Sequence, residues 1–221
     1  MGVPRRFPSP AGTNRVPLLL KLALTAFLAV LVPVYWQAYG PTNFLYFCDM
    51  SLFLALAAMW AEWSLPASMA AVGLTIPQTL WVVDFLLLLA GGPSLGMTEY
   101  MFDSSKPLFL RGLSLFHGWL PFLLLYLVWR LGYDRRALMA WTLLAWTLMF
   151  ISYLWLPAPP PPADNPNLPV NVDYVYGPRD SGLQPWMSQG AWLAFVYVAF
   201  PVVFWIPMHF LLRRLAPPAA R

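Results

Sequence analysis

Charge is scarce in this sequence. The 221 residues hold only 13 Lys and Arg and 9 Asp and Glu, 10% in all, where a soluble domain carries about 25%. A chain so poor in charge cannot cover a water-facing surface, which excludes a soluble globule and makes lipid its solvent. Cysteine is nearly absent as well. The single Cys48 excludes an intrachain disulfide and any cysteine-cluster metal centre. With only two histidines, His117 and His209, the preferred ligands of zinc are too few, and neither a metal nor a cofactor is expected. A phosphate loop, a nucleophile elbow and a dinucleotide fingerprint are all missing. The net charge of +4 comes from short basic clusters beside apolar runs. It marks retained loops rather than a nucleic-acid surface.

What is abundant is apolar. Hydrophobic residues make up 60% of the chain, with 12 Trp, 10 Tyr and 15 Phe, and Trp and Tyr favour the headgroup zone. Six runs approach the roughly 20 residues needed to cross about 30 Å of hydrocarbon: 16–36, 44–61, 67–89, 108–131, 137–156 and 188–212. The first exceeds the roughly 7–15 residues of a signal-peptide core, so it reads as an uncleaved span. Pro33, Pro77, Pro121, Pro201 and Pro207 fall inside these runs, as membrane helices tolerate, and kinks are expected around Pro201 and Pro207. The expected fold is an all-α, polytopic transmembrane bundle forming a single domain of about six spans.

Arg5, Arg6, Arg15, Arg130, Arg135, Arg136, Arg213, Arg214 and Arg221 share one side of a six-span chain. The positive-inside rule makes that side cytoplasmic, so both termini are expected there, in a multi-pass protein of the cell membrane. Two long connections, 90–107 and 157–187, are then external. The second opens with a stiff polyproline stretch and continues into an aromatic and β-branched segment, read as an ordered cap. No internal repeat supports a transporter.

The costly residues carry the functional signal. Charged groups at mid-membrane cost roughly 2.5–3.5 kcal/mol each on insertion scales. Asp49, Asp84, Arg111 and His117 nevertheless lie inside the runs, with Cys48 beside the first. The orientation puts all five in the outer half of the membrane, under the two long loops. Taken singly, Cys48 reads as a small buried hydrophobe, Asp49 as a helix cap, Asp84 with Arg111 as an ion pair, and His117 as a core residue. Taken together they permit thiol chemistry: Cys48 as nucleophile, His117 as base, and Asp49 or Asp84 orienting the imidazole. His209, beside Arg213 and Arg214, reads as interfacial.

Three local patterns support that set. They are Asn43-Phe-Leu-Tyr-Phe-Cys48-Asp-Met, the Leu108–Gly118 segment with His117-Gly118 in a helix that exits at Arg130, and Asn171-Val-Asp-Tyr174-Val-Tyr176. Together they resemble the YwaF-like integral membrane family, related to eukaryotic transmembrane phospholipid acyltransferases. The resemblance runs from about Tyr35 to the C-terminus. It implies a Cys and a His for acyl transfer, at Cys48 and His117, with phospholipids as partners. The chain departs from the family in counting six spans instead of seven and in its Pro-rich stretch 157–169. The leading expectation is a lipid acyltransferase or thioester-forming lipid hydrolase acting from the outer leaflet. Arg111 would hold a lipid phosphate, and Asn171, Asp173 and Tyr174 would contact substrate. The alternative is a non-catalytic accessory or assembly subunit, with a structural polar layer and partner-binding external loops.

Overall fold

In hydrocarbon every backbone N–H and C=O must be satisfied within the chain, so apolar runs of this length become helices. The computed structural model describes residues 16–219, and among them the fold is all-α. Eight helices follow in order: α1 (Leu18–Tyr39), α2 (Phe47–Ala61), α3 (Ser64–Leu89), α4 (Leu108–Ser114), α5 (Phe116–Leu131), α6 (Ala137–Trp155), α7 (Gln189–Phe200) and α8 (Ile206–Leu215). Helices α4 and α5 form one bent span, and so do α7 and α8. With α1, α3 and α6 this gives five segments long and apolar enough to cross a membrane. The protein is an integral, multi-pass membrane protein.

Helix α2 is shorter than its expected run, because Gly40 at φ +80° and Pro41 redirect the chain. Residues Pro41–Leu45 then wind as a tight 3₁₀ turn. Fifteen α-helical residues rise about 22 Å, and five 3₁₀ residues add about 10 Å. The pair therefore covers the same thickness as α1. Side-chain contacts agree: at the far end of α2, Glu62 accepts from Lys21 Nζ (2.9 Å) and Trp60 Nε1 donates to Thr25 Oγ1 (3.0 Å). Helix α2 thus returns to the level where α1 began, as a sixth crossing.

Six crossings bring both described ends to one face. Ser68, in the first turns of α3, accepts from the Asp134 N–H (2.9 Å), so the α5–α6 turn lies beside Glu62. The Tyr133 N–H donates to Pro217 O (2.6 Å) and the Ala219 N–H donates back to Tyr133 O (3.1 Å), which ties the C-terminal tail to the same turn. This closed end carries Arg130, Arg135, Arg136, Arg213 and Arg214. Arg5, Arg6, Arg15 and Arg221, on which part of the orientation expectation rests, lie outside the described residues. The opposite end, called the loop end below, holds residues 90–107 and 157–187.

Helix α3 is the axis, packed against α2, α5, α6 and α8. Its buried run Ala67, Ser68, Ala70, Ala71, Val72 and Gly73 is small enough for neighbouring backbones to approach closely. A methyl on Gly73 would overlap the Trp141 ring. Trp141 in turn anchors an edge-to-face cluster with Phe47 and Trp205, directly beneath the start of α2. Of the kinks expected around Pro201 and Pro207, the one at Pro201 is there, and Pro207 lies in the first turn of α8. Pro201–Trp205 is a wide π-helical turn between α7 and α8, since proline supplies no N–H to the regular ladder.

Candidate functional site at the loop end

The first turn of α2 is the centre of the loop end. No side chain of Tyr46 caps it. The Phe47 N–H donates to Asp173 Oδ1 (3.1 Å), a partner 126 residues away in sequence. A carboxylate at a helix N-terminus is favoured by the macrodipole, so Asp173 acts as a remote cap. The Cys48 and Asp49 N–H groups remain as the open donors that helix geometry leaves in a first turn. Both lie near the Cys48 sulfur, which is only half-buried. Asp49 is buried and accepts from Asn43 Nδ2 (2.7 Å).

Asp173 is presented by a strained loop. Asp173 and Tyr174 have φ of +53° and +63°, the left-handed region that non-glycine residues avoid. The surrounding loop holds them there. Asn171 Oδ1 accepts from the Tyr176 N–H (2.8 Å) and Asn171 Nδ2 donates to Gly177 O (2.7 Å). From α7, Trp192 Nε1 donates to Tyr174 O (2.8 Å) and Gln189 Nε2 to Val175 O (2.9 Å). The Tyr176 hydroxyl donates to Tyr153 O (2.8 Å) on α6. Residues 171–177 are therefore an ordered cap, as their composition suggested. Burial pushes the Asp173 carboxyl well above the usual carboxylate range, against the Phe47 hydrogen bond, and the neighbouring Asp49 charge adds to the rise.

His117 sits at the junction of α4 and α5. The Gly118 N–H turns back to Leu115 O (2.9 Å), which frees Ser114 O from the α-helical ladder. That carbonyl lies 2.7 Å from His117 Nδ1. A carbonyl only accepts, so Nδ1 carries the proton and Nε2 keeps its lone pair. The ring is sandwiched by Trp81 (centroids 4.8 Å apart) and Phe116 (4.1 Å). His117 makes no hydrogen bond to Cys48, Asp49 or Asp84. The carboxylate expected to orient the imidazole is replaced by the Ser114 carbonyl.

Asp84 and Arg111 do other work. Asp84, fully buried, accepts from the N–H groups of Leu95 (2.6 Å), Met97 (2.9 Å) and Thr98 (2.8 Å) and from the Thr98 hydroxyl (2.9 Å). It organises the 90–107 loop and forms no ion pair with Arg111. Arg111 donates through Nε to Lys106 O (3.1 Å) and through Nη1 to Met101 O (3.1 Å), tying the same loop to α4. Of the eight expected site residues, the structure joins Cys48, Asp49, Asp173 and Tyr174 around the α2 first turn, and Asn171 shapes the loop that presents the last two. His117 is held by Ser114, Trp81 and Phe116 instead, and Asp84 and Arg111 serve the 90–107 loop.

Two residues at the site escaped sequence reading. Ser114 holds both His117 and the Tyr35 hydroxyl (2.8 Å to Ser114 Oγ), but a serine in an apolar helix carries no distinguishing signal. Tyr100 lies beside Ser114 and Trp81 and within electrostatic reach of Cys48. Burial pushes its hydroxyl well above the ordinary tyrosine value. Tyr100 sits in the long 90–107 connection among Met97, Met101 and Phe102, where no sequence pattern sets it apart. His209 accepts from or donates to the Tyr133 hydroxyl (2.6 Å) at the closed end, consistent with an interfacial residue. Two apolar grooves of about 550 and 560 Å³ open elsewhere, one at Leu108–Leu113 on α4 and one between α1 and α5, and neither is lined by Cys48. Comparison with protein-family models, curated proteins and solved structures gives no match.

Proposed function

We propose that this protein is a membrane-embedded lipid acyltransferase or thioester-forming lipid hydrolase, working at the loop end with Cys48 as nucleophile. The observation that carries the reading is the position of Cys48. Its sulfur lies against the two open N–H groups of the α2 first turn, where an acyl oxyanion would find preorganised donors. In the reaction, sulfur attacks the ester carbonyl of a phospholipid. A C–S bond forms, the C–O bond to the headgroup-bearing fragment breaks, and the thiol proton passes to the leaving alkoxide. A second alcohol, or water, then attacks the thioester and returns the proton to sulfur. The free Nε2 of His117 is the proton carrier in both halves. Tyr100 lies beside Trp81 and Ser114, which contact that ring, and within electrostatic reach of Cys48. The positive-inside rule makes the loop end external, so the substrate comes from the outer leaflet.

A second reading, a non-catalytic accessory subunit, draws on a different observation. Asp84, Arg111 and Asn171 are consumed in ordering the two loops, and the 157–187 loop exposes Leu183, Trp186 and Met187 beyond the cap. Such a surface suits a partner or the headgroup zone.

Turnover separates the two readings. Purified protein given a phospholipid with one labelled acyl chain should release or transfer label. Cys48→Ala and His117→Ala should each lose at least about a hundredfold, and the double variant little more, because the pair acts as a unit. Full cellular function of Cys48→Ala, with function lost on altering Leu183 and Trp186, would favour the accessory subunit.

A further inference from the structure

Two carboxylates meet at the start of α2, and neither is satisfied. Asp49 is 2% exposed and Asp173 8%. One oxygen of each is taken, Asp49 Oδ2 by Asn43 and Asp173 Oδ1 by the Phe47 N–H. The others, Asp49 Oδ1 and Asp173 Oδ2, are buried with no hydrogen-bond partner, and so is Thr42 Oγ1 next to Asn43. Native structures leave few buried polar atoms unsatisfied, and each calls for a cause such as a bound ion. The two groups lie within reach of one another's charge. The ion pairs among the described residues, Lys21–Glu62 and Arg136–Asp134, lie at the closed end. The dipole of α2 offsets only about half a unit charge, so a doubly ionised pair needs a counter-charge from outside the chain.

We propose that Asp49 Oδ1 and Asp173 Oδ2, with the Thr42 hydroxyl, bind one hard, oxygen-ligated cation at the N-terminus of α2. The donor set selects the class: carboxylate and hydroxyl oxygens suit alkali and alkaline-earth ions. Among the described residues no three His, Cys, Asp or Glu side chains come together to hold a metal. The remaining positions therefore fall to neutral oxygens and water, which hard cations accept and zinc does not favour. A monovalent ion offsets one of the two charges and a divalent ion both. In either case a positive charge stands near Cys48, which feels both carboxylates. The site itself is independent of whether Cys48 reacts.

The test is thermal unfolding of the purified full-length protein at constant ionic strength, with choline replaced in turn by Na⁺, Mg²⁺ and Ca²⁺. A bound ion at a hundredfold excess over its Kd should raise the midpoint by about 5–10 °C. Asp49→Asn and Asp173→Asn keep an amide oxygen for the existing hydrogen bonds and should lose the ion-specific rise. Cys48→Ala should retain it, which keeps this result separate from the acyl-transfer reading. The response to one ion over the others identifies the valence. The site is refuted if no ion differs from choline in the wild type, or if both Asn variants keep the full rise.

Discussion

The two ends of this bundle satisfy their polar groups in opposite ways. At the closed end the chain pairs with itself: Tyr133 exchanges backbone hydrogen bonds with the C-terminal tail, Lys21 meets Glu62 and Asp134 meets Arg136. At the loop end buried carboxylates receive backbone N–H groups rather than cations, and two of their oxygens receive nothing. Closed charge pairs mark a structural anchor. Open carboxylates, a half-buried thiol and strained loop residues mark the end where the proposed substrate and ion would bind.

The largest effect expected of a structural change lies at the loop end. Asp84→Ala strips four hydrogen bonds from residues 95–98 at once, and leaving buried donors unpaired should cost about 3 kcal/mol or more. Chemical denaturation in detergent would measure the loss, and proteolysis should cut first within 90–107. If Asp84→Ala were as stable as wild type, the carboxylate would not be what orders that loop. At the closed end the comparable change is Gly132→Ala. Gly132 has φ +87°, and a methyl there would collide with Pro218 O and Ala219. The strained backbone should cost about 1–3 kcal/mol and release the tail, which hydrogen exchange at Tyr133 and Ala219 would report.

The pH dependence should also differ between the ends. Asp134 is held below the usual carboxylate range, chiefly by its Arg136 hydrogen bond and against the cost of burial. Its contribution is present at neutral pH and fades as pH falls through its depressed folded value. Without a bound ion Asp173 is raised by burial, so its ion-free folded form prefers the proton. Stability is then lost as pH rises from the unfolded carboxylate value through the raised folded one. Measured in choline, removing Asp173 (Asp173→Asn) should flatten the loss that sets in as pH rises past the unfolded carboxylate value, while Asp134→Asn should flatten only the acidic limb. Comparing the two variants' unfolding midpoints across pH would show this, and identical profiles would contradict the contrast. The smallest effect belongs to Arg136→Ala. Its side chain is 73% exposed, and an exposed pair contributes little and is screened by salt. Its midpoint should stay close to wild type and move closer still in high salt.

The fold was legible because lipid imposes one rule on every residue. Apolar length and the placement of arginines point to six crossings, and the backbone obeys. The depth of the polar residues was legible for the same reason: Cys48, Asp49, Asp84, Arg111 and His117 do gather toward the loop end. Their partners were not. Side chains were matched with side chains, whereas Asp84, Arg111, His117 and Asp173 all take backbone groups, which every residue carries and no sequence pattern marks. The break at Leu115 that frees the Ser114 carbonyl, and the 126-residue reach from Asp173 to Phe47, are products of tertiary packing alone.

The central claim is that Cys48 carries an acyl group through the reaction. Intact-protein mass spectrometry after brief mixing with a phospholipid tests it directly. Wild type should gain the mass of one acyl chain, on the peptide containing Cys48, and hydroxylamine at neutral pH should remove it. His117→Ala should gain it far more slowly, and Cys48→Ala not at all. An unmodified wild-type protein across outer-leaflet phospholipids of differing headgroup and chain, or an adduct that persists in Cys48→Ala, would contradict the account.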